Sequence, residues 1–362
     1  MSMQLKNNIR VLVVDDSPLM CKVFTNILNS DPQIMVVGIA NNGKDAVDLV
    51  SKLKPDIITM DIHMPVMDGL EATKQIMAYT PTPILVVSTS VFKMGMAKVF
   101  AAISYGALDV IEKGDMEFNA DAQSGKALIE KIKFLSNIRV VRHPLAKFEN
   151  RYIKRDEDKI GIPQKKILGK DNLVAMIAST GGPQAIIEIL RRLPENFPCS
   201  IVIVQHISLG FVEGLADWLN NASYIKVRVA EDSEDMQKGV AYIAPSNFQM
   251  RVEEGSKIHL SNEPAYNGHR PSGDILFESA ARIYGENAIG IILTGMGSDG
   301  AMGIKAIKEM GGRTIAQDES SCIIYGMPKV AVEMGAIDKV LPLEKIPEAL
   351  VDMLLNQPEV QD

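Results

Sequence analysis

The chain is poor in the residues that build disulfide-stapled or metal-stapled scaffolds. Only three cysteines occur in 362 residues, Cys21, Cys199 and Cys322, odd in number and far apart. That excludes a disulfide frame and a cysteine-based zinc site, and it suits reduced thiols in a cytoplasm. Each is expected to be a small buried hydrophobe. No apolar run approaches the ~20 residues that span a bilayer. The opening stretch MSMQLKNNIRV lacks the apolar core of a signal peptide. Positive charge is not in excess: 45 Asp and Glu face 38 Lys and Arg, a net −7 that disfavours general nucleic-acid binding. Repeats and low-complexity tracts are absent. What is left is a cytoplasmic protein, 46% hydrophobic and 23% charged, of ordinary globular composition. At this length two domains are the natural expectation.

From Ile9 onward, short apolar runs alternate with helical patterns. IRVLVVDD, IMVVGIA, DIITMD, PILVVSTS and DVIEK read as five strands, apolar enough to be buried on both faces. Ser17 and Pro18 supply a cap and a first turn for the first helix. Strands alternating with helices predict a parallel sheet with right-handed crossovers, its site at the carboxyl ends of the strands. Asp15 and Asp16 end the first strand, Asp61 the third, Ser88 and Thr89 the fourth, and Lys113 the fifth. Three carboxylates on one edge repel one another unless a cation joins them, and oxygen-only ligands point to Mg²⁺. A lysine opposite them suits an incoming phosphoryl group.

Taken together, VDDSP, DIHMPVMDG and the closing lysine resemble the receiver domain of bacterial response regulators over about residues 8–125. The resemblance implies a five-stranded parallel, flavodoxin-like fold. It implies that Asp61 accepts a phosphoryl group from a histidine kinase. It also implies that Asp15, Asp16 and Asp61 hold Mg²⁺ with the His63 backbone carbonyl, and that Ser88 and Lys113 contact the phosphoryl group and transmit the switch. Two positions depart from the family pattern. Gly114 follows Lys113 where proline is usual, and Val110 stands three residues before the lysine where an aromatic is common. Phosphorylation is expected to survive both. The next stretch, residues 126–169, reads as a closing helix around Ala127 to Ile138 and then a charged linker from Arg139. His143 in it carries no assigned chemistry.

Beyond the linker, VAMIASTGGPQAIIEIL breaks an apolar run with Ser-Thr-Gly-Gly before Pro183 opens a helix. Ser179 therefore ends a strand just before a helix N-terminus, where free N–H groups stabilise a phosphate or an oxyanion. At this turn neither G-x-x-x-x-G-K-[ST] nor G-x-G-x-x-G is present, so a nucleotide there is disfavoured. The G-x-S-x-G elbow is met only in part, because Ile177 occupies the first glycine place. A nucleophilic serine needs a base and an orienting carboxylate. SIVIVQHISLGF ends a strand at His206, and AIGIILTGMGSDGAMGIKAI puts Asp299 in a glycine-rich loop after another strand. All three then share one sheet edge, which is what a triad requires. Singly, the serine reads as a cap, the histidine as a core or surface residue, and Asp299 as a cap of the helix starting near Gly300.

ASTGGP, VQHI, RPSGDILFESAA and ILTGMGSDGA resemble the C-terminal domain of the chemotaxis protein-glutamate methylesterases, the CheB family, over about residues 170–355. The implied fold is doubly wound, mostly parallel α/β. The resemblance implies Ser179 as nucleophile, His206 as general base and Asp299 as its orienting group. It further implies the Met296 backbone N–H near the oxyanion and Thr180 in support. The implied reaction hydrolyses glutamyl methyl esters on chemoreceptors, with deamidation of receptor glutamines, and needs no cofactor. Methylated chemoreceptors and a chemotaxis histidine kinase are the implied partners, without nucleic acid or membrane insertion. Recruitment to receptor arrays is expected, as is a receiver that covers the Ser179 edge until Asp61 is phosphorylated.

Other residues admit two readings. Arg270 orients substrate, contacts an acidic receptor helix or forms a structural salt bridge, while His269 and Asp274 lie beside it before a helix. His259 reads as a strand surface residue and Trp218 as core. The rival to an esterase is a non-catalytic signalling module whose Ser-Thr-Gly-Gly turn holds an anionic ligand. A DNA-binding regulator is weaker, because no recognition-helix module follows.

Overall fold

The computed structural model describes residues 8–88, 93–113, 123–138, 140, 160 and 172–355. The chain divides into two compact units, residues 1–151 and 152–362. The first unit alternates β1 (Ile9–Val14), α1 (Pro18–Asn29), β2 (Ile34–Ala40), α2 (Gly43–Leu53), β3 (Ile57–Met60), α3 (Gly69–Tyr79), β4 (Ile84–Ser88), α4 (Lys93–Ser104), β5 (Asp109–Glu112) and α5 (Gln123–Leu135). All five strands are parallel, in the order β2-β1-β3-β4-β5. β1, β3 and β4 are buried on both faces, as their continuous apolar sequences require. β2 departs from that expectation. It is an edge strand, and Met35 and Ile39 lie exposed on it. Helix starts follow side-chain chemistry: Ser17, Asn42 and Asp68 each accept a backbone N–H of the first turn. α5 is tied back by Lys131 to Asp109 at 2.8 Å and by Lys133 to Asp31 at 2.6 Å, so it closes this unit.

One backbone position carries strain. Val66, between β3 and α3, has φ 68° and is 82% exposed. A β-branched residue in the left-handed region costs about 1–2 kcal/mol, and its exposed side chain gains no packing in return. Val66→Asn, which tolerates that region, is expected to raise the stability of the first unit by about 1 kcal/mol. Urea unfolding of the two proteins checks this. An unchanged or lower midpoint would refute it.

The second unit runs β6 (Leu173–Ala178), α6 (Gly182–Leu190), β7 (Ser200–Gln205), α7 (Val212–Ala222), β8 (Lys226–Val229), β9 (Val240–Ile243), β10 (Gln249–Glu253), β11 (Lys257–Ser261), α8 (Gly273–Tyr284), β12 (Ala288–Ile292), α9 (Ala301–Glu309), β13 (Arg313–Gln317), α10 (Met327–Glu333), β14 (Lys339–Leu341) and α11 (Ile346–Leu355). Seven parallel strands form one sheet in the order β14-β13-β12-β6-β7-β9-β8. β10 and β11 form a separate antiparallel hairpin. From β6 the chain builds outward through β7, then crosses back to β12 on the other side. The sheet therefore reverses its winding between β6 and β12, and a crevice opens at the carboxyl ends there. Ser179 and Asp299 leave the sheet from these two strands. Trp218, expected in the core, is only half-buried on α7, because its face of the helix turns partly to solvent. Among the described residues no helix is long and apolar enough to cross a membrane.

Candidate active site

Backbone hydrogen bonds continue past the strand ends and lace the three candidate segments together. Ser179 N–H donates to Thr294 O at 3.0 Å, and His206 N–H donates to Ala178 O at 3.0 Å. Gly295 passes flush against the nucleophile. A Cβ there would lie 2.8 Å from Ser179 Cβ and 2.3 Å from Met327 Sδ, so only glycine lets the loop approach so closely. Met296 follows directly, and among the described residues its N–H donates no hydrogen bond. Thr180 is buried, and its carbonyl accepts from Thr294 Oγ1 at 3.0 Å.

His206 Nε2 and Asp299 Oδ2 are 2.9 Å apart. Three more donors hold the carboxylate: Gly273 N–H at 2.7 Å on Oδ2, Ser272 Oγ–H at 2.7 Å and Asp274 N–H at 3.2 Å on Oδ1. Two of these are the free amides at the start of α8, where the helix dipole favours negative charge. Burial works to raise the Asp299 pKa. The His206 hydrogen bond and charge, the Ser272 hydroxyl and the Gly273 amide outweigh it and bring it down to about 2. Asp299 thus caps α8, not α9 as the sequence suggests, because its loop is packed against the start of the other helix. The favour is returned: Asp274 Oδ1 accepts the Gly303 N–H at 2.9 Å in the first turn of α9. Burial holds the Asp274 pKa up against the amides of Gly303 and Gly300.

His269 stacks on His206, centroids 4.2 Å apart and planes 3° from parallel. Burial and then the His206 charge lower its pKa, with Asp299 pulling the other way, so it is neutral at neutral pH. The nitrogen and oxygen atoms of His206, His269 and Asp299 lie within 4.8 Å of one another. Parallel rings cannot converge their in-plane lone pairs on one ion, so the trio reads as a hydrogen-bonded and stacked cluster. Among the described residues Ser179 Oγ makes no hydrogen bond, so nucleophile and base are neighbours at adjoining strand ends without being joined.

The first unit gathers its own polar edge. Carboxylate oxygens of Asp15, Asp16 and Asp61 lie within 4.8 Å of one another. Lys113 Nζ pairs with Asp15 Oδ2 at 2.7 Å and with Asp61 Oδ2 at 3.0 Å. Burial raises the Asp61 pKa, Lys113 draws it down and Asp15 pushes it up again; the net direction is upward. The buried hydroxyls of Thr59 on β3 and Ser88 at the end of β4 have no hydrogen-bond partner among the described residues. An over-acidic pocket with unpaired hydroxyls fits a cation and an incoming oxyanion. The His63 side chain is exposed and is not part of the carboxylate cluster.

Family models match both halves: the response regulator receiver domain over residues 11–119 and the CheB methylesterase over residues 174–350. A protein-glutamate methylesterase/protein-glutamine glutaminase of Syntrophus aciditrophicus is 43% identical over 347 residues, 95% of this chain and 98% of that one. The chain belongs to that family. A relative of the same description from Methanococcus maripaludis is 41% identical over 358 residues, covering 95% of this chain and 98% of its own. The solved CheB methylesterase catalytic domain of Thermotoga maritima is similar at 40% identity and TM-score 0.49, over 51% of this chain and 100% of that domain.

Within the family frame, some sequence readings are corrected. Arg270 forms no salt bridge among the described residues. Its guanidinium donates to the carbonyls of Asn262 at 3.4 Å and Glu263 at 3.3 Å, which pins the exposed loop before α8. His259 lies on β11 and pairs with Asp232 at 3.3 Å, a surface role as expected. Cys21 and Cys199 are buried, and burial pushes the half-buried Cys322 thiol up to about 12, which makes it inert. Thr89, Gly114, His143 and nearly all of the charged linker lie outside the described residues. Of that linker, Ile160 N–H donates to Arg192 O at 2.9 Å.

Proposed function

We propose that the chain hydrolyses glutamyl methyl esters of chemoreceptors to glutamate and methanol by a serine mechanism, and receptor glutamine amides to glutamate and ammonia. Phosphorylation of Asp61 governs the reaction. The observation that carries the reading is the four-donor Asp299 carboxylate, bonded to His206 at the sheet edge that also bears Ser179.

The chemistry follows from that arrangement. Nε2 of His206 is engaged by Asp299, so Nδ1 takes the Ser179 proton as Oγ bonds to the ester carbonyl carbon. Asp299, at about 2, keeps its charge and faces the imidazolium. His269 is neutral, so no second cation opposes that charge. The Met296 N–H and the N-terminus of α6 stabilise the oxyanion, with Thr180 supporting the turn. Collapse breaks the ester C–O bond, and the leaving oxygen takes the proton from His206 and departs as methanol. Water then gives a proton to His206, attacks the acyl-enzyme and regenerates Ser179. For an amide the leaving nitrogen takes that proton, which makes imidazolium essential.

Asp61 accepts the phosphoryl group of a histidine kinase, with Lys113 and the Ser88 hydroxyl facing the added charge. Asp15, Asp16, Asp61 and the His63 carbonyl would hold Mg²⁺, which neutralises phosphoryl charge when bound. Methanol release from methylated receptor membranes is expected to rise when acetyl phosphate and Mg²⁺ are added. In Asp61→Asn the basal rate persists and the rise disappears. Undiminished activation in that variant, or no methanol from several methylated receptors, would refute the reading.

A further inference from the structure

One buried side chain touches both the nucleophile's residue and the base's residue. Gln205, the last residue of β7, is 3% exposed. Its Nε2 donates to Ser179 O at 2.8 Å and to His206 O at 2.8 Å. Its Oε1 is buried with no hydrogen-bond partner among the described residues. A buried orphan acceptor is costly, and such groups gather where a network serves function. Turning the amide over would not relieve it, since Oε1 would then face two carbonyl oxygens. The orphan is what remains when both protons of one nitrogen are committed to two carbonyls.

We propose that Gln205 is a positioning residue that sets the spacing of Ser179 and His206. The demand is specific. It needs two donors on one neutral planar nitrogen, four bonds out from the Cα of a residue at a strand end. Asparagine is one methylene too short, and lysine would bury a charge. Gly182 belongs to the same device. A Cβ there would lie 1.9 Å from Gln205 Oε1, so the second glycine of Ser-Thr-Gly-Gly leaves room for the amide. The Gly182 N–H also donates to Ser179 O at 2.8 Å, so that carbonyl is fixed from two sides. The backbone of the nucleophile's turn is thereby clamped to the backbone that carries the base. This matters because the two side chains are not themselves hydrogen-bonded.

The proposal rests on the assignment of Ser179 and His206, and the test separates the two. Gln205→Met keeps the shape and removes both donors; Gln205→Glu keeps the shape and offers one proton at most. Both are compared with wild type and Ser179→Ala for kcat and KM of methanol release, for the rate of serine labelling by a fluorophosphonate, and for melting temperature. The expected result is a kcat for Gln205→Met reduced about 10–100-fold, with KM unchanged and labelling slowed in parallel. Gln205→Glu is expected to fall between that variant and wild type, and it carries the test alone if the methionine variant does not fold. A kcat within twofold of wild type, or a loss confined to KM, overturns the role of Gln205 provided Ser179→Ala is inactive. An active Ser179→Ala overturns the assignment beneath it.

Discussion

Ser179→Ala is expected to lower kcat for methanol release about 10⁶-fold, leaving only what binding and the oxyanion donors supply. The size follows from the serine's place. Its residue is fixed by Thr294 O, by the Gly182 N–H and by the Gln205 amide. The methyl of alanine fits the same space without shifting any of these. Receptor binding, measured by co-sedimentation with methylated receptor membranes, should therefore be unchanged while methanol release vanishes. Release at more than a hundredth of the wild-type rate would mean that another group attacks the ester.

Asp299→Asn is expected to cost about 10⁴-fold in kcat. The amide can occupy the same volume, but its NH₂ must stand either where Oδ2 meets His206 and the Gly273 N–H or where Oδ1 accepts from Ser272 and the Asp274 N–H. In the first case His206 is presented with a donor and its tautomer reverses. In the second, donors meet donors. The charge that steadies the imidazolium is lost in both. A pH signature accompanies this. The Asp299 carboxyl titrates at about 2 against an ordinary 3.8. A depressed carboxyl contributes stability that is complete above the unfolded value and lost as pH falls through the folded one. Asp299 therefore stabilises the second unit by roughly 2 kcal/mol at neutral pH, and this contribution fades between about pH 4 and pH 2. Urea unfolding of wild type across that window should show the decline, and Asp299→Asn should show less of it. Equal slopes would remove Asp299 as its source.

Much of the site could be read before the fold was known, for a physical reason. Parallel strands buried on both faces leave continuous apolar runs, and residues just beyond them must meet at one edge. Asp15, Asp61, Ser88 and Lys113 were found this way, and so were Ser179, His206 and Asp299. What escaped is what acts across the fold. A polar residue beside a helix start looks like that helix's own cap, yet Asp299 serves α8 because tertiary packing brings α8 closer to its carboxylate. Gln205 is an unremarked neighbour of His206 until the register of β6 against β7 places its amide between two carbonyls. His269 has no signal beyond its type, since ring stacking depends on loop path. β2 looked like its fellow strands because an apolar run does not say which strand lies at the edge. Of the β10–β11 hairpin only the strand around His259 was legible, because the mixed burial of β10 leaves no apolar run.

The exchange of caps between α8 and α9 has a consequence for when the enzyme becomes an enzyme. Asp299 receives the Gly273 and Asp274 amides from the first turn of α8, and Asp274 on α8 receives the Gly303 amide from the first turn of α9. Neither helix start is satisfied until the other has docked. Asp299 is therefore held by a unit that spans two helices. Amide protons at both starts must become exchangeable in a single opening event. On the proposed mechanism, a nascent or locally opened chain would carry Ser179 and His206 without an aligned base, and would not attack esters before it is folded.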